Sequence, residues 1–143
     1  MKYSEFLEAK KERPCPFCGV KQEEVIAENK TAYLTFALAP YHPDHLLTVP
    51  KRHVEHILDL TAKELADIDA LQDKGWEAIK KLGYKSVTFL VREGDSSGRT
   101  VGHIHYHIIP EEKIGDLDHN GEFRKIMEPD EIVAEVSKIK KLL

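Results

Sequence analysis

Strand-length apolar runs fill the first third of the chain, a helical period fills the middle, and strand-length runs return after it. Residues Tyr3 to Lys11 read as a short helix, and Pro14 and Pro16 then punctuate the chain. Glu24 to Ala27 and Thr31 to Leu38 read as two strands. Glu28-Asn29-Lys30 lies between them as a tight turn in which Asn tolerates a left-handed conformation. The loop Ala39 to Asp44 leads into His45 to Val49, an apolar and β-branched run expected to be a buried strand.

The clearest helix begins at Thr61. Thr61 and Glu64 form a capping box, each side chain serving a backbone donor of the first turn. Leu65, Ile68, Leu71, Ile79 and Leu82 recur at helical spacing and give one apolar face. Gly75 weakens the middle, and Gly83 is the expected stop. Ser86 to Val91 and His103 to Ile109 read as two further strands, the second ended by Pro110. Asp130 to Leu143 reads as a closing helix with Ile132, Val133, Val136, Ile139 and Leu143 on a stripe. Strands joined by short turns favour antiparallel pairing, so the class is α+β. The 143 residues suit a single domain spanning residues 1–143.

Composition narrows the partners. Hydrophobic residues are 41% and charged residues 32%, as in globular proteins. The net charge of -4 offers no global positive field, so nucleic acid is not an expected partner. No apolar run is long enough to span a bilayer, and the charged N-terminus lacks a signal-peptide pattern, so a cytoplasmic location is expected. The only cysteines, Cys15 and Cys18, form a Cys-x-x-Cys pair that reads as a metal site or a redox pair.

His103, His105 and His107 alternate with Ile104, Tyr106 and Ile108, which puts three imidazoles on one face of a strand. A solvated face would normally carry Thr, Lys or Glu instead. Same-face neighbours lie about 7 Å apart, too far for all three to share one ion on a straight strand. Phosphate chemistry is a third reading, because a neutral imidazole is a nucleophile and its neighbours can stabilise anionic oxygens. Gly98 and Gly102 let the backbone turn close to a ligand, and the loop amides with Ser96, Ser97 and Thr100 can donate to phosphate oxygens.

The run from Gly98 to Ile109, with its His-Ile-His-Tyr-His-Ile-Ile core, resembles the signature of the histidine-triad (HIT) family. The run Pro43 to Val54 resembles that family's other recurrent segment. The resemblance covers most of the chain from Cys15 to Pro110. It implies a HIT-like fold: an antiparallel sheet of about five strands, one long helix and a C-terminal helix. It also implies hydrolysis or transfer at a nucleotide α-phosphate through a nucleotidyl-histidine intermediate. By the same resemblance His105 is the nucleophile, and His107 and His45 stabilise phosphate oxygens or assist the leaving group. Thr100 matches a phosphate-contacting hydroxyl. Arg99 and Arg92 stand where relatives often carry Gln or Asn, and two arginines there would add charge-assisted contacts to a polyphosphate or an anionic leaving group. Ala37 stands near a position where a polar side chain holds ribose in nucleoside-binding relatives.

Cys15 and Cys18 also match a zinc-binding subset of the family, whose other ligands correspond to His53 and His103. Two thiolates and two imidazoles suit tetrahedral Zn²⁺ with a structural role, and no organic cofactor is expected. His42 lies near the pocket loop, whereas His56 and His119 read as surface residues. The expected substrate is a phosphoramidate, dinucleoside polyphosphate or adenylate, and the expected assembly is a homodimer. A nucleotide-binding regulatory protein with incidental turnover is the competing reading.

Overall fold

The computed structural model describes residues 2, 4, 5, 8, 15–97, 99, 101–111 and 127–143. The helix expected over residues 3–11 falls largely outside them, and Gly98, Thr100 and His119 do so entirely. The chain divides into two compact units, Met1–Glu112 and Lys113–Leu143.

The first unit is built on five strands: β1 (Val25–Glu28), β2 (Ala32–Phe36), β3 (Leu46–Pro50), β4 (Val87–Val91) and β5 (Tyr106–Pro110). Their order across the sheet is β1-β2-β3-β5-β4, and every pairing is antiparallel. β5 therefore lies between β3 and β4, and His107 sits opposite Leu47 on one side and Leu90 on the other. The helix α1 (Ala62–Lys81) packs on one face of the sheet, joining β3 to β4 in the chain.

The β1–β2 turn differs from its expected form. β1 runs on through Glu28, and Asn29 does not take a left-handed backbone; among the described residues Glu111 is the one non-glycine with positive φ. Asn29 closes the turn with hydrogen bonds. Its N–H donates to the Ala32 carbonyl (3.0 Å), and its Oδ1 accepts from the Ala32 N–H (3.0 Å). Its Nδ2 donates to the Asp67 carbonyl on α1 (2.8 Å), so the turn is tied to the helix. The buried Asp67 carboxylate completes the tie by accepting from the Thr31 hydroxyl (2.7 Å) and Lys63 (2.9 Å).

Thr61 caps α1 as its sequence predicts, with Glu64 in the reciprocal box. Gly83, at φ +102°, ends it. Ile68, Leu71 and Ile79 are buried against Leu34, Leu46 and Ile108 of the sheet. Each such side chain contributes about 1.5–3 kcal/mol of burial. Leu65 and Leu82 do not join this face and are exposed. Leu65 lies at its margin, and Leu82 is already the C-cap. Gly75 has a packing reason: a Cβ there would meet Ile108 Cδ1 at 2.7 Å. The absent side chain lets the helix lie close over β5.

On the opposite face Phe17, Tyr33, Leu47, Val49 and Val101 form a second apolar cluster. It holds the Cys15–Cys18 segment against the sheet. In the second unit, α2 (Pro129–Lys140) starts with Pro129 and the acidic Asp130 and Glu131, and ends with Lys138 and Lys140. Both charge placements complement the helix dipole. No helix among the described residues is long and apolar enough to cross a membrane.

Candidate functional site

The strand expected from His103 begins only at Tyr106, so His107 alone of the three histidines is in the ladder. His103 and His105 lie in the segment leading into it, tied to the Val54 carbonyl through the Ile104 N–H. The alternation nevertheless holds. Ile104 and Ile108 are in the cluster beneath α1 with Tyr106 against it, while the imidazoles point to the other side. The rings of His105 and His107 lie close together, with centroids 4.9 Å apart. The β2–β3 loop adds His45, whose ring centroid is 5.1 Å from that of His107. His45, His103, His105 and His107 are all buried.

Backbone groups fix the tautomers. A carbonyl only accepts, so the 2.8 Å contact between His105 Nδ1 and the His103 carbonyl requires a proton on Nδ1. The basic lone pair of His105 is then on Nε2. The Tyr41 N–H donates to His45 Nδ1 (3.1 Å), which puts the His45 proton on Nε2. That Nε2–H donates to His107 Nδ1 (2.9 Å). His107 in turn carries its proton on Nε2. One histidine thus offers a nucleophilic nitrogen and its neighbour an N–H donor, the pairing that attack on a phosphoryl group needs.

Burial is the main reason this pair stays neutral. It lowers His45 to about 4, with the neighbouring His105, Arg92 and His42 acting in the same direction. His107 is lowered to about 3, again chiefly by burial, then by His105, His45 and Arg92. Both imidazoles are therefore uncharged near neutral pH.

His103 faces a different group. Its Nε2–H donates to the Pro50 carbonyl (2.8 Å), which leaves the Nδ1 lone pair aimed at Cys15 Sγ (3.3 Å) and Cys18 Sγ (3.5 Å). His53 Nδ1 lies 3.2 Å from Cys18 Sγ. The ligand atoms of Cys15, Cys18, His53 and His103 all fall within 4.8 Å of one another, close enough to hold a metal ion. The carbonyl on the far nitrogen of His103 is the support that a metal-binding imidazole usually has.

The remaining expected residues have more varied surroundings. Arg92 donates to the Tyr41 hydroxyl (3.2 Å), and Tyr41 stacks on His45 at 5.7 Å. Arg99 is committed to the loop: it donates to the carbonyls of Glu55 (3.2 Å) and Gly102 (3.4 Å) and pairs with Asp95 (3.2 Å). The Ser97 hydroxyl donates to the Gly94 carbonyl (2.7 Å). Gly98 and Thr100 lie outside the described residues. Ala37 lines a cleft of about 330 Å³ with Phe17, Val20, Glu24 and Leu38. Phe17 also meets His105, with 5.0 Å between ring centroids, and so links the cleft wall to the histidine row.

Several supporting groups carry no sequence signal. Tyr33 donates its buried hydroxyl to the Phe17 carbonyl (2.8 Å) and so anchors the segment between the cysteines. The Tyr84 hydroxyl donates to Asp44 (2.5 Å) and holds the loop that presents His45. The carbonyls of His103 and Pro50 and the amide of Tyr41 are main-chain groups, which residue type does not reveal.

A sheet with one helix against its face, and a buried histidine row at its centre, define the class. A family profile described as the HIT domain matches residues 19–114, and the chain belongs to that family. The bis(5'-adenosyl)-triphosphatase of Dictyostelium discoideum is 30% identical over 115 residues, covering 77% of this chain and 76% of that protein. An uncharacterized HIT-like protein of Methanocaldococcus jannaschii is 30% identical over 127 residues, covering 85% of this chain and 98% of its own. Among solved structures, a histidine triad nucleotide-binding protein from Candida albicans shares the fold with a TM-score of 0.73 at 20% identity, covering 90% of this chain and 96% of that one.

Proposed function

We propose that the chain hydrolyses or transfers the nucleotidyl group of a nucleotide conjugate by attack of His105 on the α-phosphorus. The observation that carries this reading is the hydrogen bond from His105 Nδ1–H to the His103 carbonyl, which leaves the lone pair on Nε2. In the first step that lone pair forms the P–N bond. The P–O bond to the leaving group breaks, and its electron pair stays on the departing oxygen. The carbonyl of His103 then faces the cationic imidazolium and stabilises it. His107 Nε2–H donates to a phosphate oxygen on which charge develops, and His45 holds His107 in that tautomer. In the second step the oxygen of water attacks phosphorus. The P–N pair returns to Nε2, and the proton of water leaves to solvent.

The cleft beside Phe17 suits the nucleoside by size and apolar lining. The relative named bis(5'-adenosyl)-triphosphatase favours a dinucleoside polyphosphate as substrate. Zinc is the metal that two thiols and two imidazole nitrogens suit, held by Cys15, Cys18, His53 and His103. It would tie the N-terminal segment to the residue whose carbonyl orients His105. The family resemblance extends this proposal to a homodimer acting in the cytoplasm, and a light-scattering mass tests the dimer.

The test is turnover of diadenosine triphosphate, with AMP and ADP as products and a covalent adenylyl adduct trapped by rapid denaturation at alkaline pH, where a P–N bond survives. His105→Ala should lower turnover roughly a thousandfold or more and yield no adduct. Wild-type-like turnover by that variant overturns the mechanism.

A further inference from the structure

Aromatic contacts run in one row through the site. Phe17 meets His105, His105 meets His107, His107 meets His45, and His45 meets Tyr41. Arg92 closes the row, its guanidinium carbon 5.9 Å from the Tyr41 ring centroid and its N–H on the Tyr41 hydroxyl. The two ends of the row differ. The Phe17 end opens into the apolar cleft. The Tyr41 end is an aromatic residue, 53% exposed, beside a cation. An exposed tyrosine is ordinary by itself. This one is stacked on His45 and bonded through its hydroxyl to Arg92, beside the His45–His107 pair.

We propose that Tyr41 and Arg92 form a leaving-group subsite for the second nucleotide of a dinucleoside polyphosphate. Its base stacks on the exposed Tyr41 ring, and its phosphate chain lies against the Arg92 guanidinium. The proposal rests on the reading of His105 as nucleophile: with one nucleoside in the Phe17 cleft, a phosphorus over His105 directs its leaving group past His107 toward Tyr41. An aromatic ring supplies a stacking surface for any base, and a planar guanidinium matches phosphate oxygens in pairs. A small leaving group such as ammonia would use neither.

The experiment compares kcat/KM for diadenosine tetraphosphate, adenosine 5'-tetraphosphate and adenosine 5'-phosphoramidate on the full chain. These share the adenylyl group and differ in whether phosphates and a second base leave with it. The wild type should favour diadenosine tetraphosphate over adenosine tetraphosphate by roughly 10-fold or more, the usual effect of one stacked base. Tyr41→Leu keeps the backbone amide that serves His45 and should bring that ratio close to one. Arg92→Gln should lower both tetraphosphates relative to the phosphoramidate. Equal use of the two tetraphosphates by wild type overturns the subsite even if Tyr41→Leu does not fold. A Tyr41→Leu ratio that stays at the wild-type value overturns it too. In both cases turnover of the phosphoramidate leaves the nucleophile reading standing. Turnover of none of the three overturns that reading, and the subsite with it.

Discussion

Acidification should weaken the fold through the His45–His107 pair, by an amount the structure sets. Folded His45 is lowered to about 4 and folded His107 to about 3, whereas an unfolded histidine titrates near 6.5. The unfolded chain therefore binds more protons between those values. The stability the pair contributes is complete above about pH 6.5 and is lost as pH falls toward the folded values. At about pH 5 an unfolded histidine is almost fully protonated while either folded one is mostly neutral. The difference between about pH 7.5 and about pH 5 is then about 2 kcal/mol for each group. This figure barely depends on how far below 5 the folded values lie. Urea unfolding across that range, in wild type and His107→Gln, isolates one of the two. The variant should lose about 2 kcal/mol less than wild type on acidification, because the other titrating groups are common to both chains. Parallel pH dependences in the two proteins would refute the neutral, buried pair.

Other perturbations test the supports of the site. Purified protein should carry about one zinc per chain by elemental analysis, and Cys15→Ala should lose it; metal-free native protein removes the zinc proposal. Tyr33→Phe leaves the Phe17 carbonyl without its buried donor and should cost about 1–3 kcal/mol in urea unfolding. An unchanged midpoint would show that the contact is not needed to seat the cysteine segment. Gly75→Ala should lower the melting temperature. A methyl against the fully buried Ile108 costs about 1–3 kcal/mol, more than the helix propensity of about 1 kcal/mol that alanine supplies. A higher melting temperature contradicts the close helix–sheet approach.

Much of this was legible in the residues because it depends on local periodicity. The capping box at Thr61, the stop at Gly83, and the inward face of Ile68, Leu71 and Ile79 follow from spacing alone. So does the split between the imidazoles and the Ile104–Tyr106–Ile108 face, which a period of two dictates even where the ladder has not begun. The Cys-x-x-Cys pair announces a metal or redox site by residue type.

What the tertiary structure decided concerns groups far apart in the chain, or with no side-chain identity. His103 turns to Cys15 and Cys18, more than eighty residues away, while His105 two positions on does not. No local pattern separates two histidines in the same alternation. The tautomers of His45, His105 and His107 depend on the Tyr41 amide and the His103 carbonyl, and every residue but proline offers the same two main-chain groups. Arg99 and Arg92 look alike in sequence, yet one braces a loop through carbonyls and the other lies on Tyr41 beside the histidines. Periodicity tells which way a side chain points. Only the packed chain tells what it meets there, because those partners come from segments that the sheet brings together.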